Sequence, residues 1–238
     1  MPKPVFRRIL LKLSGEILSG NQGYGVDPVK AIELAKEVKN AREEGVEIGI
    51  VVGGGNIIRG EMAEHRGMDR VSADYLGMLA TIINAITLQD ALEKEGCETR
   101  TLSAIGISQL AEPYIRRRAI RHLEKGRVII IAGGTGNPYF STDTAAVLRA
   151  TETEAEVVLK GTKVNGVYDK DPKKYDDAQR FDTLSFQKVI EDGLRVMDLT
   201  AVTLCKENNL PIIVFDINQS GNLGRILTGE KIGTIIRG

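Results

Sequence analysis

The chain has 238 residues, 42% of them hydrophobic, which is enough for one large α/β domain with a substantial core. Its 32 lysines and arginines balance its 32 aspartates and glutamates, and a zero net charge argues against direct nucleic-acid binding. Two cysteines and two histidines give little basis for a disulfide framework, a zinc site or a Ser-His-Asp triad. No apolar run approaches the length of a membrane helix or a leader, so we expect a soluble, cytoplasmic protein.

The first predicted element is a buried strand over residues 7–13, which carries Lys12 near its carboxyl end. A lysine in an apolar strand costs free energy unless it has an anionic partner. Ligands of open α/β sheets bind where the strands end. Lys12 is therefore a candidate phosphate ligand, although a lysine that extends to the surface would show the same pattern.

A glycine-rich loop at residues 20–25 leads to a helix that begins at Asp27-Pro28 and ends at Gly45. The apolar run 47–52 predicts a second strand, and three glycines follow it directly at 53–55. Neither the P-loop pattern nor Gly-x-Gly-x-x-Gly occurs in the chain, which argues against a Walker ATPase and a dinucleotide enzyme of that type.

Helical periodicity predicts a long helix from about 69 to 95, with Asp74 near its start. Asp74 is interpreted in two ways: a carboxylate that favours the helix dipole, or a ligand for a substrate hydroxyl. A short strand at 98–101 and a helix at 115–124 follow. The arginines of that helix are assigned by default to a solvated face or a subunit contact.

The central stretch runs from Gly133 to Asp143, between a buried strand at 128–132 and a helix at 144–149. Its glycines allow the backbone to approach a ligand, and its hydroxyls and helix-start amides suit a phosphate. Ser141, Thr142 or Asp143 is expected to cap the helix. A tight turn without a ligand is the alternative interpretation.

A further apolar strand, at 156–160, ends in Lys160 and is the second strand with a lysine near its carboxyl end. We expect Lys12 and Lys160 to converge on one anionic site. Residues 161–172 read as an irregular loop in which Tyr168 could stack on a base. The remaining predicted elements are helices at 184–191 and 198–207 and strands at 212–215 and 234–236. We predict one continuous α/β domain.

Four motifs in this order resemble those of bacterial-type uridylate kinases (UMP kinases) in the amino-acid kinase superfamily. They are Lys12-Leu-Ser-Gly15, Gly53-Gly-Gly-Asn-Ile-Ile-Arg59, Thr135-Gly-Asn-Pro-Tyr-Phe-Ser-Thr-Asp143 and Lys160-Gly-Thr-Lys-Val-Asn-Gly-Val-Tyr168. The resemblance implies a three-layer αβα sandwich around a central, mostly parallel sheet, the carbamate kinase-like fold. It also implies that residues 1–150 mainly bind UMP and residues 151–238 mainly bind ATP.

The resemblance assigns a role to individual residues. The catalytic set is Lys12, Arg59, Asp143 and Lys160. The ATP set is Lys12, Leu13, Ser14, Gly15, Gly55, Arg59, Thr162, Asn165, Tyr168 and Asp171. The UMP set is Gly54, Asp74, Thr135, Gly136, Asn137, Pro138, Tyr139, Phe140, Ser141 and Thr142. The loop Gly20, Asn21, Gln22, Gly23, Tyr24 and Gly25 matches the segment associated with GTP activation.

The activity that the resemblance implies is transfer of the ATP γ-phosphoryl group to UMP, with Mg²⁺ held through the phosphates rather than by an assigned protein ligand. It further implies activation by GTP, inhibition by UTP and a hexamer built as a trimer of dimers. The alternatives are another superfamily enzyme that phosphorylates a carboxylate or carbamate, a non-catalytic nucleotide-binding or storage protein, and a regulator that reaches DNA through partners.

Overall fold

A computed structural model describes residues 3–58 and 67–238. Its strands are β1 (Arg8–Leu13), β2 (Glu47–Val52), β3 (Thr99–Ser103), β4 (Glu112–Pro113), β5 (Val128–Ala132), β6 (Val157–Thr162), β7 (Val167–Tyr168), β8 (Arg180–Phe181), β9 (Thr183–Ser185), β10 (Ile212–Asp216) and β11 (Thr234–Arg237). Its helices are α1 (Gly15–Leu18), α2 (Pro28–Glu43), α3 (Arg70–Lys94), α4 (Arg116–Glu124), α5 (Thr142–Glu152), α6 (Phe186–Glu191), α7 (Leu199–Glu207) and α8 (Asn222–Leu227).

Nine of the described strands form one sheet in the order β4-β3-β5-β2-β1-β6-β10-β11-β9. Neighbours from β4 through to β10 are parallel, whereas β11 runs antiparallel to β10 and β9 follows the direction of β11. β7 and β8 form a separate antiparallel pair. The predicted α/β fold with a mostly parallel sheet is confirmed.

Helices cover both faces of this sheet, as the three-layer prediction required. One apolar core lies between the sheet and helices α2, α3 and α8. The other lies between the sheet and helices α4 to α7. Because side chains alternate along a strand, Leu11 faces the first core and Leu10 the second. Lys12 therefore shares its face with Leu10 and with helix α5.

Helix α3 is long and apolar enough to cross a membrane by length and composition. This differs from the expectation that no segment reaches that length. Its side chains Ile82, Ala85 and Leu88 are buried in the core beside α2 and the sheet. A core helix passes the same test, so the finding is weak evidence for a membrane span.

Several element boundaries differ from the prediction. The helix expected at 184–191 begins two residues later, at Phe186, because residues 184 and 185 belong to strand β9, and it ends at Glu191 as predicted. Ser185 Oγ caps it by accepting a hydrogen bond from Lys188 N at 3.1 Å. Strand β6 continues beyond Lys160 to Thr162, and β7 lies inside the predicted irregular loop. In each case pairing with a distant strand decides the conformation, and local sequence carries little of that information.

Candidate functional site

Three of the predicted catalytic residues, Lys12, Asp143 and Lys160, lie in direct contact with one another, and we call this cluster the lysine–aspartate centre. Lys12 and Lys160 are opposite each other in the β1–β6 ladder. Lys12 Nζ lies 2.6 Å from Asp143 Oδ1, and Lys160 Nζ lies 2.8 Å from Asp143 Oδ2. All three side chains are at most 16% exposed. The expected convergence of the two lysines is thus present, with one carboxylate between them.

Helix α5 brings Asp143 to this position. Its N-cap is Ser141, one of the three predicted candidates, and Ser141 Oγ accepts from the amides of Asp143 and Thr144 at 3.0 and 3.1 Å. The sequence predicted a helix over 144–149, and the helix is longer at both ends. Asp143 therefore stands in the first turn, where the helix dipole favours a carboxylate.

Asp198 is part of this arrangement, although the sequence analysis assigned it no role. Ser141 Oγ donates to one oxygen of Asp198, and Thr144 Oγ1 donates to the other at 2.8 Å. Asp198 also caps α7 by accepting from Ala201 N at 3.0 Å. The available signal was its position before an apolar helix, which predicts a cap but does not reveal that the same carboxylate anchors α5.

The electrostatics of the centre follow from its burial. Burial by itself would raise the pKa of the Asp143 carboxyl, but the charges of Lys12 and Lys160 outweigh burial and hold that pKa below its ordinary value. Burial lowers the pKa of Lys160, while the Asp143 carboxylate opposes that effect. Lys160 Nζ also donates to the carbonyl of Val196. Within the lysine–aspartate centre, two ammonium groups face one carboxylate, which suits an anionic ligand. The Asp198 carboxylate lies outside these three groups and has a smaller electrostatic effect on Lys160.

The described residues contain no group of three or more His, Cys, Asp and Glu side chains that could hold a metal ion. Asp143, the carboxylate at the centre, is already in contact with two lysines. A metal at this centre would therefore need ligands from a bound molecule.

A small cavity of about 120 Å³ lies between the loop after β2, helix α3 and the central glycine-rich stretch. Its lining includes Gly54, Asp74, Gly134, Phe140 and Thr142. The other predicted UMP residues, which are Thr135, Gly136, Asn137, Pro138, Tyr139 and Ser141, belong to the same stretch without lining this cavity.

Asp74 is not the cap of its helix. Helix α3 is capped by Asp69, whose carboxylate accepts from Ser72 N at 3.1 Å. Asp74 Oδ2 instead accepts from Tyr139 N at 2.7 Å and from Arg70 Nε at 3.0 Å. Asp74 therefore connects α3 to the glycine-rich stretch at the edge of the cavity, and Tyr139 adopts a positive φ of 71° there.

Glycine at position 54 is required by close packing. A Cβ atom there would lie 2.7 Å from the carbonyl oxygen of Gly77 and 2.8 Å from Ala80 Cβ, both in α3. Gly55, the next residue, has open space at the equivalent position. The glycine run thus lets the loop after β2 lie directly on α3 and form one wall of the cavity.

Buried polar side chains that the sequence analysis missed hold these loops in place. Thr81 Oγ1 accepts from Gly133 N at 2.8 Å. Asn84 Nδ2 donates to Gly53 O at 2.7 Å and to Asn56 Oδ1 at 2.7 Å. Asn56 Nδ2 in turn donates to Gly25 O at 2.6 Å. The loop at 20–25 is therefore joined to the loop after β2 through a pair of asparagines.

The predicted ATP residues are distributed around the carboxyl ends of β1 and β6. Leu13 is fully buried, and Ser14 caps α1, in which Gly15 is the first residue.

The predicted ATP residues that follow β6 make local contacts. Tyr168 Oη donates to Asn165 Oδ1 at 2.5 Å, and Asp171 Oδ1 accepts from Lys173 N at 3.0 Å. Further predicted members are Gly55, which lines the cavity, and Thr162, whose hydroxyl donates to Val164 O at 2.6 Å. Arg59 lies outside the described residues.

Comparison with known proteins agrees with this geometry. A model of the amino acid kinase family matches residues 7–216. The UMP kinase of Bacillus anthracis is similar with a TM-score of 0.94 and 38% identity, covering 98% of this chain and 96% of that chain. The UMP kinase of Ureaplasma parvum is similar with a TM-score of 0.92 and 39% identity, covering 98% of this chain and 99% of that chain. The uridylate kinase of Archaeoglobus fulgidus is similar with a TM-score of 0.73 and 28% identity, covering 96% of this chain and 99% of that chain.

These matches extend over nearly the whole chain, and they confirm the resemblance that the four sequence motifs carry. The family match includes both strand-end lysines and Asp143. The chain belongs to the amino acid kinase family and, within it, to the UMP kinases.

Proposed function

We propose that this chain transfers the γ-phosphoryl group of ATP to UMP, reversibly, giving UDP and ADP. The observation that carries the proposal is the lysine–aspartate centre beside the cavity at Asp74. A buried centre with two lysines next to a small cavity that presents a carboxylate and two hydroxyls suits transfer between two anions. Membership of the UMP kinases supports the choice of acceptor.

The acceptor side of the proposed site lies mainly in residues 1–150. The Asp74 carboxylate would accept hydrogen bonds from the ribose hydroxyls of UMP. Gly54 and the glycine-rich stretch would surround the nucleotide, since they line the cavity or adjoin it. The proposed UMP residues in that stretch are Thr135, Gly136, Asn137, Pro138, Tyr139, Phe140, Ser141 and Thr142.

The donor side of the proposed site lies mainly in residues 151–238, completed by the end of β1. Lys12, Ser14 and Gly15 would bind the ATP phosphates together with Gly55 and Arg59. The loop after β6 would hold the adenine and ribose. The residues proposed for that end are Thr162, Asn165, Tyr168 and Asp171.

The chemistry follows from the charge of the acceptor. The second pKa of a phosphate monoester is about 6, so UMP is largely a dianion at neutral pH and no base has to create the nucleophile. A phosphate oxygen of UMP attacks the γ-phosphorus, and the bond from that phosphorus to the β-phosphate oxygen breaks, so that ADP leaves. Lys12 and Lys160 would flank the transferring group and offset its charge. Asp143 would hold both lysines in position.

Mg²⁺ bound with ATP would supply charge neutralisation at the β- and γ-phosphates. A metal that arrives with its nucleotide is compatible with the centre, because the Asp143 carboxylate is already paired with the two lysines. The proposed protein groups act on the phosphates directly.

Regulation and assembly form a separate part of the proposal. We assign activation by GTP to the loop at 20–25 and expect the enzyme to be inhibited by UTP. We also expect it to be a cytoplasmic homohexamer that acts in pyrimidine nucleotide biosynthesis. A cavity of about 460 Å³ beside Gly20, Asn21, Lys30 and Lys163 supports an effector near that loop. The asparagine pair joins the loop to Gly53. A GTP titration that leaves both the rate and its UMP dependence unchanged would remove this part.

The test is release of ADP from Mg-ATP by the purified chain with separate acceptors: UMP, CMP, acetylglutamate, aspartate and carbamate. We expect turnover with UMP. Turnover with an amino acid or carbamate instead would overturn the acceptor, and ATP binding without turnover on any acceptor would favour a storage or regulatory protein.

A further inference from the structure

Arg149 is a buried cation near the end of helix α5 to which neither the sequence motifs nor the proposed site assigns a role. It is 5% exposed. Its Nη2 donates to the carbonyl oxygens of Gly134 and Thr135, each at 3.3 Å. One guanidinium nitrogen thus contacts two successive peptide groups of the glycine-rich stretch.

Two neighbours fix the position of this guanidinium. Its carbon lies 4.1 Å from the centroid of the Tyr114 ring, a cation–π contact. Nη1 donates to Glu152 Oε2 at 2.7 Å, and Tyr114 Oη donates to the same oxygen at 2.7 Å. Burial and Glu152 raise the pKa of the Tyr114 phenol, so that it remains a proton donor. The guanidinium group is therefore held at its face by Tyr114 and at Nη1 by Glu152, while Nη2 contacts the loop.

The contacts with Gly134 and Thr135 set the direction of the backbone. In a trans peptide the N–H points opposite to the C=O, and the described residues contain no cis peptide bond. Carbonyls turned toward Arg149 place the amides of Thr135 and Gly136 on the other side of the loop. The Gly136 amide then reaches Gly133 O at 2.9 Å and closes the turn.

The same loop is held from the opposite side by Thr81 of α3, which accepts from Gly133 N. Gly134 lines the cavity at Asp74 between these two attachments. Arg149 does not line that cavity, so it acts on a nucleotide only through the loop. A buried charge is costly unless it is paired, and here the pairing includes the loop backbone itself.

We infer that Arg149 is a positioning residue for the acceptor nucleotide, which fixes the backbone of Gly134 and Thr135 against the cavity. The inference rests on the proposed function, because it takes this cavity to be the UMP site. Loss of Arg149 would loosen UMP binding and leave the lysine–aspartate centre in place.

The experiment compares Arg149→Met, which keeps most of the buried volume, with Arg149→Lys, which keeps the charge. For Arg149→Met we expect the KM for UMP to rise about tenfold or more, because charge-assisted hydrogen bonds to the loop are lost. Arg149→Lys should fall between wild type and Arg149→Met. The KM for ATP and kcat at saturating UMP should stay within about twofold of wild type in both variants.

Arg116→Met is the matched control. Arg116 Nε donates to Glu152 O and Nη2 to Glu154, both at 2.6 Å, so it adjoins the same helix end without a contact to the loop. Its KM for UMP should equal that of wild type. An unchanged KM for UMP in Arg149→Met, or equal changes in the KM for UMP, the KM for ATP and kcat, would overturn the inference.

Hydrogen exchange separates this inference from the proposed function. Protection of the Gly136 amide should fall in Arg149→Met whether or not UMP is the acceptor, and retained protection would also overturn the inference. If Arg149→Met does not fold, the KM for UMP and the exchange of the Gly136 amide are measured in Arg149→Lys instead, and the same outcomes support or overturn the inference. If the wild-type chain fails to phosphorylate UMP, the proposed function and its acceptor assignment fail, while the exchange result still decides the role of Arg149 in the loop.

Discussion

The phosphate end and the nucleoside end of the proposed ATP site are built in different ways. At the phosphate end, the lysine–aspartate centre is buried, and its two lysines belong to adjacent central strands. At the nucleoside end, Asn165 and Asp171 are exposed and Tyr168 is half-buried. Their contacts there are local, as between Tyr168 and Asn165 or between Asp171 and Lys173.

The difference corresponds to what each end has to do. Charges that stabilise a transferring phosphoryl group must be in place before the reaction, because reorganising them would cost part of the barrier reduction. Binding a base and a sugar tolerates an adaptable surface, where contacts are individually weaker. We therefore expect changes at the phosphate end to act on kcat, and changes at the nucleoside end to act modestly on the KM for ATP.

The largest expected effect is that of Lys12→Met. Removal of one preorganised charge should lower kcat by about 10²- to 10³-fold, whereas UMP affinity changes far less. Steady-state kinetics with both substrates varied would measure this. Lys94→Met, which alters a 69% exposed lysine in α3, is the control and should match wild type. A Lys12→Met enzyme as fast as wild type would remove Lys12 from the mechanism.

Acid unfolding tests the burial of the centre. The pKa of Asp143 is held below its ordinary value in the folded chain. The ionised carboxylate therefore contributes fully to the free energy of unfolding at pH values above the ordinary aspartate pKa of about 3.9. That contribution is lost as the pH falls through the folded pKa. The free energy of unfolding measured from pH 7 to pH 2 should therefore decline in wild type by an amount that Asp143→Asn lacks. Identical slopes in the two proteins would contradict the pairing.

Asp74→Ala should mainly raise the KM for UMP, by about tenfold, because hydrogen bonds to a charged group are lost without a change at the phosphate end. The measurement is the initial rate over a range of UMP at saturating ATP. Asp90→Ala changes an exposed carboxylate of the same helix and serves as control. Should Asp74→Ala keep the wild-type KM for UMP, Asp74 does not belong to the UMP site.

Gly54→Ala tests the close approach that forms the cavity wall. The added Cβ would meet Gly77 O and Ala80 Cβ, and overpacking of this kind costs about 1–3 kcal/mol of the free energy of unfolding. Urea denaturation of Gly54→Ala and Gly55→Ala provides a matched pair, since the second Cβ has open space. Equal stability of the two variants would show that the wall adapts.

The smallest effect is expected at the nucleoside end. Tyr168→Phe removes the hydrogen bond to Asn165 but keeps the ring, so the KM for ATP should rise only about two- to fivefold, with kcat and stability nearly unchanged. Kinetics at saturating UMP and a thermal melt would measure both. A large fall in kcat would mean that the two ends are not as different as their burial indicates.

Much of the fold could be predicted because its signals are local. Apolar runs mark the strands β1, β2, β5, β6 and β10, and Asp27-Pro28 marks the start of α2, where Asp27 accepts from Val29 N. The short strand β9 could not be predicted in this way, because it depends on pairing with β11. The helix predicted at 184–191 forms from Phe186 to Glu191, and only its first two residues, 184 and 185, belong to the strand that this distant partner pairs with.

The sequence by itself determined that two lysines stand near the ends of two apolar strands and that Asp143 lies at a helix start. Only the tertiary structure decided that β1 and β6 are neighbours and that Asp143 lies between the two lysines. It alone joined Asp198 to Ser141 and Arg149 to Gly134. The reason is physical: capping and hydrophobic periodicity act within a few residues, whereas these contacts join residues far apart in the chain and leave no repeating pattern to read.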